Sequence, residues 1–206
     1  MLKAEIAVLV SGGGTNLQAL IDARASGILK SGRIRLVVSS REDAGALKRA
    51  ADNGIVSAVV PAKLLSRKEF ESRIADLHDE YGIELIVLAG FTLILSPGFT
   101  KSRPERIINI HPSLIPSFCG PGFYGLRVHK AAIEYGVKLT GATVHYVNEF
   151  PDGGEIILQK AVRVRQNDTP ETLQRRVMEE AEHKLLPQAV ERVSRRVIRE
   201  RNNKWL

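Results

Sequence analysis

The chain has 206 residues, enough for one well-buried core, and 44% of them are apolar, which argues against a disordered protein. No apolar run approaches the ~20 residues that a membrane-spanning helix needs, so we expect no membrane partner. The net charge is +7, but residues 191–206 carry six basic side chains against two glutamates and so account for +4 of it. Because the rest of the chain is only mildly basic, we expect a solvated basic C-terminal tail and no nucleic-acid partner.

The first half of the chain alternates short apolar runs with helical periods. Strands that are apolar almost throughout and separated by helices predict a doubly wound α/β fold, in which helices cover both faces of a mostly parallel sheet. The third helix begins with a capping-box pattern at Ser66 and Glu69. The other predicted elements are strands at 4–10, 34–38, 56–60, 84–89 and 106–110, and helices at 16–26 and 44–53.

The second half changes character. A loop rich in proline and glycine at 112–126 precedes a short helix at 128–135 and two long strands at 138–147 and 155–164. Thr169 and Pro170 are typical of a helix start, and the helix either continues past Pro187 with a kink or breaks there. With no repeat and no linker, we expect a single domain over 1–190, followed by the tail at 191–206.

The sequence also bears on the compartment. The first strand begins almost at once, with no long apolar segment and cleavage site before it, so we predict no signal peptide. The single cysteine, Cys119, has no internal disulfide partner, which fits a reducing environment. We therefore expect a cytoplasmic protein.

A glycine turn, Gly12-Gly13-Gly14, joins the first strand to the first helix. Such a turn exposes backbone N–H groups at the positive end of the helix, which favours a phosphate. It does not match the dinucleotide fingerprint, because Leu17 stands where the third glycine would be, and no Lys-Ser/Thr pair follows as in a Walker A loop. The turn is either a plain tight turn or a monophosphate site to which Thr15 and Asn16 add donors.

Asn109 and His111 lie two residues apart at the end of an apolar strand, and Pro112 stops the ladder there. The pair either caps loose backbone groups or donates to a ligand, since open α/β sheets bind ligands at the carboxyl ends of their strands. Asp152 is explained as a turn residue, unless its loop folds back to His111 and favours the imidazolium. We find no metal-binding pattern, and we expect His145 to face the sheet or solvent.

Five segments together resemble a known family, the phosphoribosylglycinamide formyltransferases of purine biosynthesis, and the resemblance runs from Ile6 to about Pro187. The Asn-x-His-Pro-Ser-Leu element is the most specific of them. The segments are Ser11 to Gln18, Val87 to Phe91, Asn109 to Pro116, Gly141 to His145, and Asp152 to Gly154.

The resemblance implies a Rossmann-like formyltransferase fold and an enzyme that uses 10-formyltetrahydrofolate as co-substrate, without a metal. Its formyl group would pass to the amine of 5′-phosphoribosylglycinamide through a tetrahedral oxyanion. Asn109 and protonated His111 would donate hydrogen bonds to that oxyanion. Asp152 would keep His111 charged and position a proton-transferring water.

The resemblance also assigns binding residues. The phosphate-bearing substrate would be held mainly by the N-terminal half of the domain, through Gly13, Gly14, Thr15 and Asn16, with Glu182 at the ribose. The C-terminal half would bind folate and perform the catalysis, as a monomer or homodimer. The residues implied in folate binding are Arg67, Thr92, Leu93, Ile94, Leu95 and Asn109.

The sequence departs from the family in three places. Leu93 stands where an arginine is frequent in the family, and Glu155 stands where a proline often follows the pair of glycines. The loop at 117–125 is longer than in common members of the family. Alternatives are a formyltetrahydrofolate hydrolase, a formyltransferase acting on another amine, such as that of methionyl-tRNA, and an inactive binding module. Because the first strand starts by Ile6, we expect no N-terminal regulatory domain of the kind the hydrolases carry, and we expect no added C-terminal tRNA-recognition domain.

Overall fold

The computed structural model describes residues 2–203 and confirms the predicted α/β fold. Among residues 2–203, seven strands form one sheet in the order β3-β2-β1-β4-β5-β6-β7; neighbours among β1 to β5 pair in parallel, and β6 pairs antiparallel with both β5 and β7. The strands are β1 Ala4–Val10, β2 Gly32–Ser39, β3 Val56–Val59, β4 Leu85–Leu88, β5 Ile107–His111, β6 Leu139–Tyr146 and β7 Ile156–Arg163.

The helices follow the predicted order with one addition, the short α4, whose start is capped by Ser96. The predicted caps at Ser66 and Thr169 are both present. A five-residue π-helical segment at Met178–Glu182 joins the last two helices, and the final helix continues through Pro187. The helices are α1 Thr15–Ala25, α2 Gly45–Asp52, α3 Arg67–Glu80, α4 Pro97–Lys101, α5 Leu126–Tyr135, α6 Pro170–Val177 and α7 His183–Asn203.

The sheet separates two hydrophobic cores. On one side, which we call the α7 face, α1, α2, α5, α6 and α7 pack against the strands; on the other, the α3 face, α3 and α4 do so. Side chains alternate between the faces along each strand. In β5, Ile108 and Ile110 join the α7-face core and Ile107 the α3-face core, so Asn109 and His111 lie on the α3 face.

The C-terminal segment differs from the solvated tail that its charge predicts. Residues 191–203 form the second half of α7, and Val193 and Val197 are buried in the α7-face core. Glu191 is also buried and accepts hydrogen bonds from the backbone N–H groups of Lys30 and Ser31, both at 2.8 Å. The apolar residues of this segment recur at helical spacing between the arginines, and a net charge contains no information about that spacing. Lys204 lies outside the described residues.

No helix within residues 2–203 combines the length and apolar character that crossing a membrane requires.

Candidate active site

A cleft of about 440 Å³ opens at the carboxyl ends of the central strands. It lies where the sheet order reverses between β1 and β4, the position at which doubly wound sheets bind ligands. Segments from both halves of the chain line it, and the division between a phosphate-binding N-terminal half and a folate-binding C-terminal half stays a prediction. Predicted site residues that line it are Gly13, Gly14, Thr15, Asn16, Thr92, Leu93, Ile94, Leu95, Asn109, His111, Asp152 and Glu182.

Arg67 is the predicted site residue that the cleft does not include. It is the exposed first residue of α3, and it does not appear among the lining residues. The nearest link is indirect, because Phe70 of the same helix stacks on Phe91 of the cleft wall with ring centroids 6.1 Å apart.

The strand register explains why Asn109 meets a histidine. In the antiparallel β5–β6 pair, Asn109 lies opposite His145 and His111 lies opposite Thr143. Directly opposed residues share a face, and the Asn109 amide nitrogen lies 3.2 Å from Nε2 of His145. His145 Nδ1 donates to the carbonyl of Tyr146 at 2.8 Å, which leaves Nε2 as the acceptor for Asn109. His145 thus faces the cleft, and the prediction that it faces the sheet or solvent is wrong.

His111 is buried and held by its loop. Its Nε2 donates to the Phe118 carbonyl at 2.9 Å, and its Nδ1 lies 3.6 Å from an oxygen of Asp152. The same Asp152 oxygen accepts a hydrogen bond from the Gly120 N–H at 2.8 Å, and the other lies 3.5 Å from Nε2 of His145. The loop at 117–125 therefore contacts both His111 and Asp152, and the loop that carries Asp152 folds back to His111.

Burial lowers the pKa of His111, and the nearby Asp152 carboxylate offsets this only in part. Burial also works against ionisation of Asp152, but the neighbouring rings of His145 and His111 and the Gly120 N–H outweigh that effect and lower its pKa. Asp152 is therefore ionised at neutral pH, whereas His111 is mostly neutral without ligand. Asp152 favours the charged form of His111, and burial opposes it more strongly.

Close packing explains the second of the two glycines that follow Asp152. A Cβ on Gly154 would lie 1.7 Å from the carbonyl oxygen of Tyr146, so no other residue fits where this loop enters β7. Asp152 itself has a positive φ of 54°. The tight turn is what directs its carboxylate back towards β5.

The glycine turn leaves the start of α1 open to the cleft. Gly14 has a φ of 75°, and a Cβ there would lie 2.7 Å from Cα of Ala46. No side chain caps the helix, so its first N–H groups and the positive end of its dipole face the space beside Thr15 and Asn16. An anion fits this end of the cleft.

Glu182 closes the same end. The π-helical segment carries it into the cleft, where it accepts a hydrogen bond of 2.7 Å from the Asn16 amide. Burial raises the pKa of Glu182 from its ordinary value of 4.5 to about 7, against the lowering effect of that hydrogen bond. The side-chain oxygen of Asn16 is buried and has no partner among residues 2–203.

The segment after β4 forms the opposite wall. Leu93 and Ile94 are 37% and 52% exposed, whereas Leu95 is buried in the α3-face core. The N–H of Thr92 donates to Ser11 Oγ at 3.2 Å. The wall thus offers apolar side chains and loop backbone to a flat ligand, and Leu93 contributes no charge.

Sequence reasoning missed two histidines of the cleft, His145 and His129. The alternation along β6 puts His145 on the side of Thr143, but only the β5–β6 register tells which side faces the site. His129 lies on α5 and is fully buried. Within the described residues, no group of three or more His, Cys, Asp and Glu side chains is arranged to hold a metal ion.

One known protein family matches almost the whole chain. The family model described as "Formyl transferase" covers residues 4–190. The chain belongs to this family. Its cleft carries the Asn109, His111 and Asp152 cluster on which the resemblance rests.

Individual relatives agree. The chain is 40% identical over 190 residues to the chloroplastic phosphoribosylglycinamide formyltransferase of Arabidopsis thaliana, covering 91% of this chain. It is 45% identical over 193 residues to the trifunctional purine biosynthetic protein adenosine-3 of Gallus gallus, covering 93% of this chain. It spans 64% and 18% of the lengths of these two relatives. The glycinamide ribonucleotide transformylase 1 structure from Symbiobacterium toebii matches with a TM-score of 0.86 at 41% identity, covering 94% of this chain and 88% of that one.

Proposed function

We propose that this protein transfers the formyl group of 10-formyltetrahydrofolate to the amine of 5′-phosphoribosylglycinamide, a step of purine biosynthesis. The observation that carries the proposal is the cleft itself, in which Asn109, His111 and Asp152 lie between an open helix N-terminus and an apolar wall. The relatives from Arabidopsis thaliana and Symbiobacterium toebii are named for this activity, and the one from Gallus gallus is named a purine biosynthetic protein. The single Cys119 fits our expectation that the reaction takes place in the cytoplasm.

The residues present fit both substrates. The uncapped start of α1, formed by Gly13, Gly14, Thr15 and Asn16, suits the phosphate. Glu182 suits ribose hydroxyl groups, which donate to a carboxylate. The wall at 92–95 suits the flat pterin, and the exposed Arg67, outside the cleft lining, would interact only with the distal end of the folate.

Asn109 and His111 are the proposed oxyanion donors. Asn109 donates one amide hydrogen to His145, and this contact fixes the direction of the other amide hydrogen. Donors held in place in this way are each worth ~3 kcal/mol to a transition state in comparable sites. The amine would attack the formyl carbon, which the folate supplies, and negative charge would develop on the formyl oxygen beside these donors.

His111 would take up a proton from solvent water as that charge develops. Nearby negative charge favours imidazolium, and Asp152 already adds one such charge. The Nε2–H of His111 donates to the Phe118 carbonyl, so this hydrogen bond has to break before the same N–H can donate to the oxyanion. Asp152 and a water beside it would then carry a proton from the attacking nitrogen to the leaving one.

The deciding experiment is transfer of a labelled formyl group from 10-formyltetrahydrofolate to phosphoribosylglycinamide. We expect the label in the amine product. Release of labelled formate without transfer would favour the hydrolase, and transfer to another amine alone would reassign the acceptor. A His111→Asn variant is the matched control, because it should retain substrate binding while losing transfer.

A further inference from the structure

His129 is a buried polar side chain without a partner. It lies on α5 with 0% exposure, it lines the cleft, and neither Nδ1 nor Nε2 has a hydrogen-bond partner among residues 2–203. Burial of unpaired polar atoms costs free energy, so such groups in native proteins call for an explanation. An imidazole at a cleft wall finds that explanation in a ligand that supplies the missing partner.

The charge state of His129 limits what that partner is. Burial lowers its pKa to about 4, with a further contribution from nearby His111, so the ring is neutral at pH 7. A neutral imidazole has one N–H donor and one acceptor lone pair. It suits an uncharged group that donates and accepts, whereas to a phosphate it offers a single N–H and no positive charge.

The position of His129 points to one of the two substrates. Helix α5 packs against α6, and Ala132, one turn beyond His129, belongs to the α7-face core. The open start of α1 and Glu182 adjoin that same face, whereas Phe91 and Leu95 of the proposed folate wall pack with the α3-face core. His129 is therefore on the side of the phosphate-bearing substrate.

Within that substrate, His129 is assigned to the reacting end because it lines the same cleft as His111. Glu182, an acceptor, suits the ribose hydroxyls, whereas the group beside the reacting amine is an amide. We propose that His129 hydrogen-bonds the amide of bound phosphoribosylglycinamide and so distinguishes this substrate from a bare sugar phosphate. The proposal rests on the proposed function and adds a residue that determines specificity.

The test compares two ligands, phosphoribosylglycinamide and ribose 5-phosphate, which lacks the amide. His129→Phe removes both ring nitrogens and keeps an aromatic ring. By titration calorimetry we expect the Kd for phosphoribosylglycinamide to rise at least tenfold and that for ribose 5-phosphate to change less than twofold. His129→Gln, which keeps a donor and an acceptor, should recover part of the loss. The control Glu182→Gln should weaken both ligands.

Equal effects of His129→Phe on both ligands, or no effect, would overturn the proposal. If that variant does not fold, the ring ¹⁵N signals of His129 in the unmodified protein give the answer: they should shift with phosphoribosylglycinamide and stay in place with ribose 5-phosphate. The same shift with both ligands would also overturn it. Absence of formyl transfer in the unmodified protein would instead contradict the proposed function.

Discussion

Glu182 should make the stability of this protein fall as the pH rises through the neutral range. Its pKa is about 7 in the folded protein and 4.5 in its ordinary surroundings, because burial disfavours the charged carboxylate. A carboxyl whose pKa is raised by folding binds more protons in the folded state, so its contribution is favourable below pH 4.5 and is lost as the pH rises to 7. Because a tenfold change in proton affinity corresponds to about 1.4 kcal/mol, the whole contribution is about 3 kcal/mol.

Glu182→Gln removes this titration and keeps the shape. The amide oxygen can still accept from Asn16, and its nitrogen can donate to the Asn16 oxygen that has no partner among the described residues. Urea unfolding of both proteins at pH 4.5 and pH 8 gives the free energies of unfolding. We expect the variant to gain about 3 kcal/mol on the unmodified protein between the two pH values.

The double difference cancels every other titrating group, because both proteins share them. A gain below about 1 kcal/mol would refute the reasoning that Glu182 is buried and protonated at neutral pH. The pH dependence of substrate binding provides an independent test of the ionisation of Glu182. If Glu182 accepts ribose hydroxyls as a carboxylate, the KM for phosphoribosylglycinamide should fall as the pH rises through 7.

Three further substitutions test the catalytic cluster and its support. His111→Asn should fold, bind phosphoribosylglycinamide normally in calorimetry and lose turnover by ~10²–10³-fold; near-normal turnover would remove His111 from the mechanism. Asp152→Asn should lower the pKa of His111, because the carboxylate charge raises it, and so move the alkaline loss of activity to lower pH; an unchanged pH–rate profile would count against their pairing. Gly154→Ala should lower the unfolding free energy by about 1–3 kcal/mol and reduce turnover, because its Cβ meets the Tyr146 carbonyl; normal values of both would contradict the packing argument.

The elements that could be predicted were those with local signals. Apolar runs identified every strand, and the caps at Ser66 and Thr169 identified two helix starts. The short α4 was missed because five residues give no periodicity. The C-terminal half of α7 was misjudged because net charge does not record which side of a helix carries the charges, and Val193 and Val197 lie on the buried side.

The site was predictable as far as single strands allow. Asn109 and His111 share a face because they are two residues apart, and no tertiary information is needed for that. His145 depends on the β5–β6 register, which the sequence does not state. His129 depends on how α5 packs, and Glu182 faces the cleft through a π-helical segment that no local pattern announced. The balance of charge on His111 depends on burial, which outweighs the carboxylate beside it.

The sheet also explains why one loop can influence catalysis and both substrates together. The proposed donors lie on the α3 face with the proposed folate wall, whereas the open helix start, Glu182 and His129 adjoin the α7 face. The reacting groups can meet only at the strand ends, where the sheet no longer separates them. The loop at 117–125 covers this edge and holds His111 through the Phe118 carbonyl and Asp152 through the Gly120 N–H. Any movement of that loop must therefore change the donor geometry and the proton balance of His111 together.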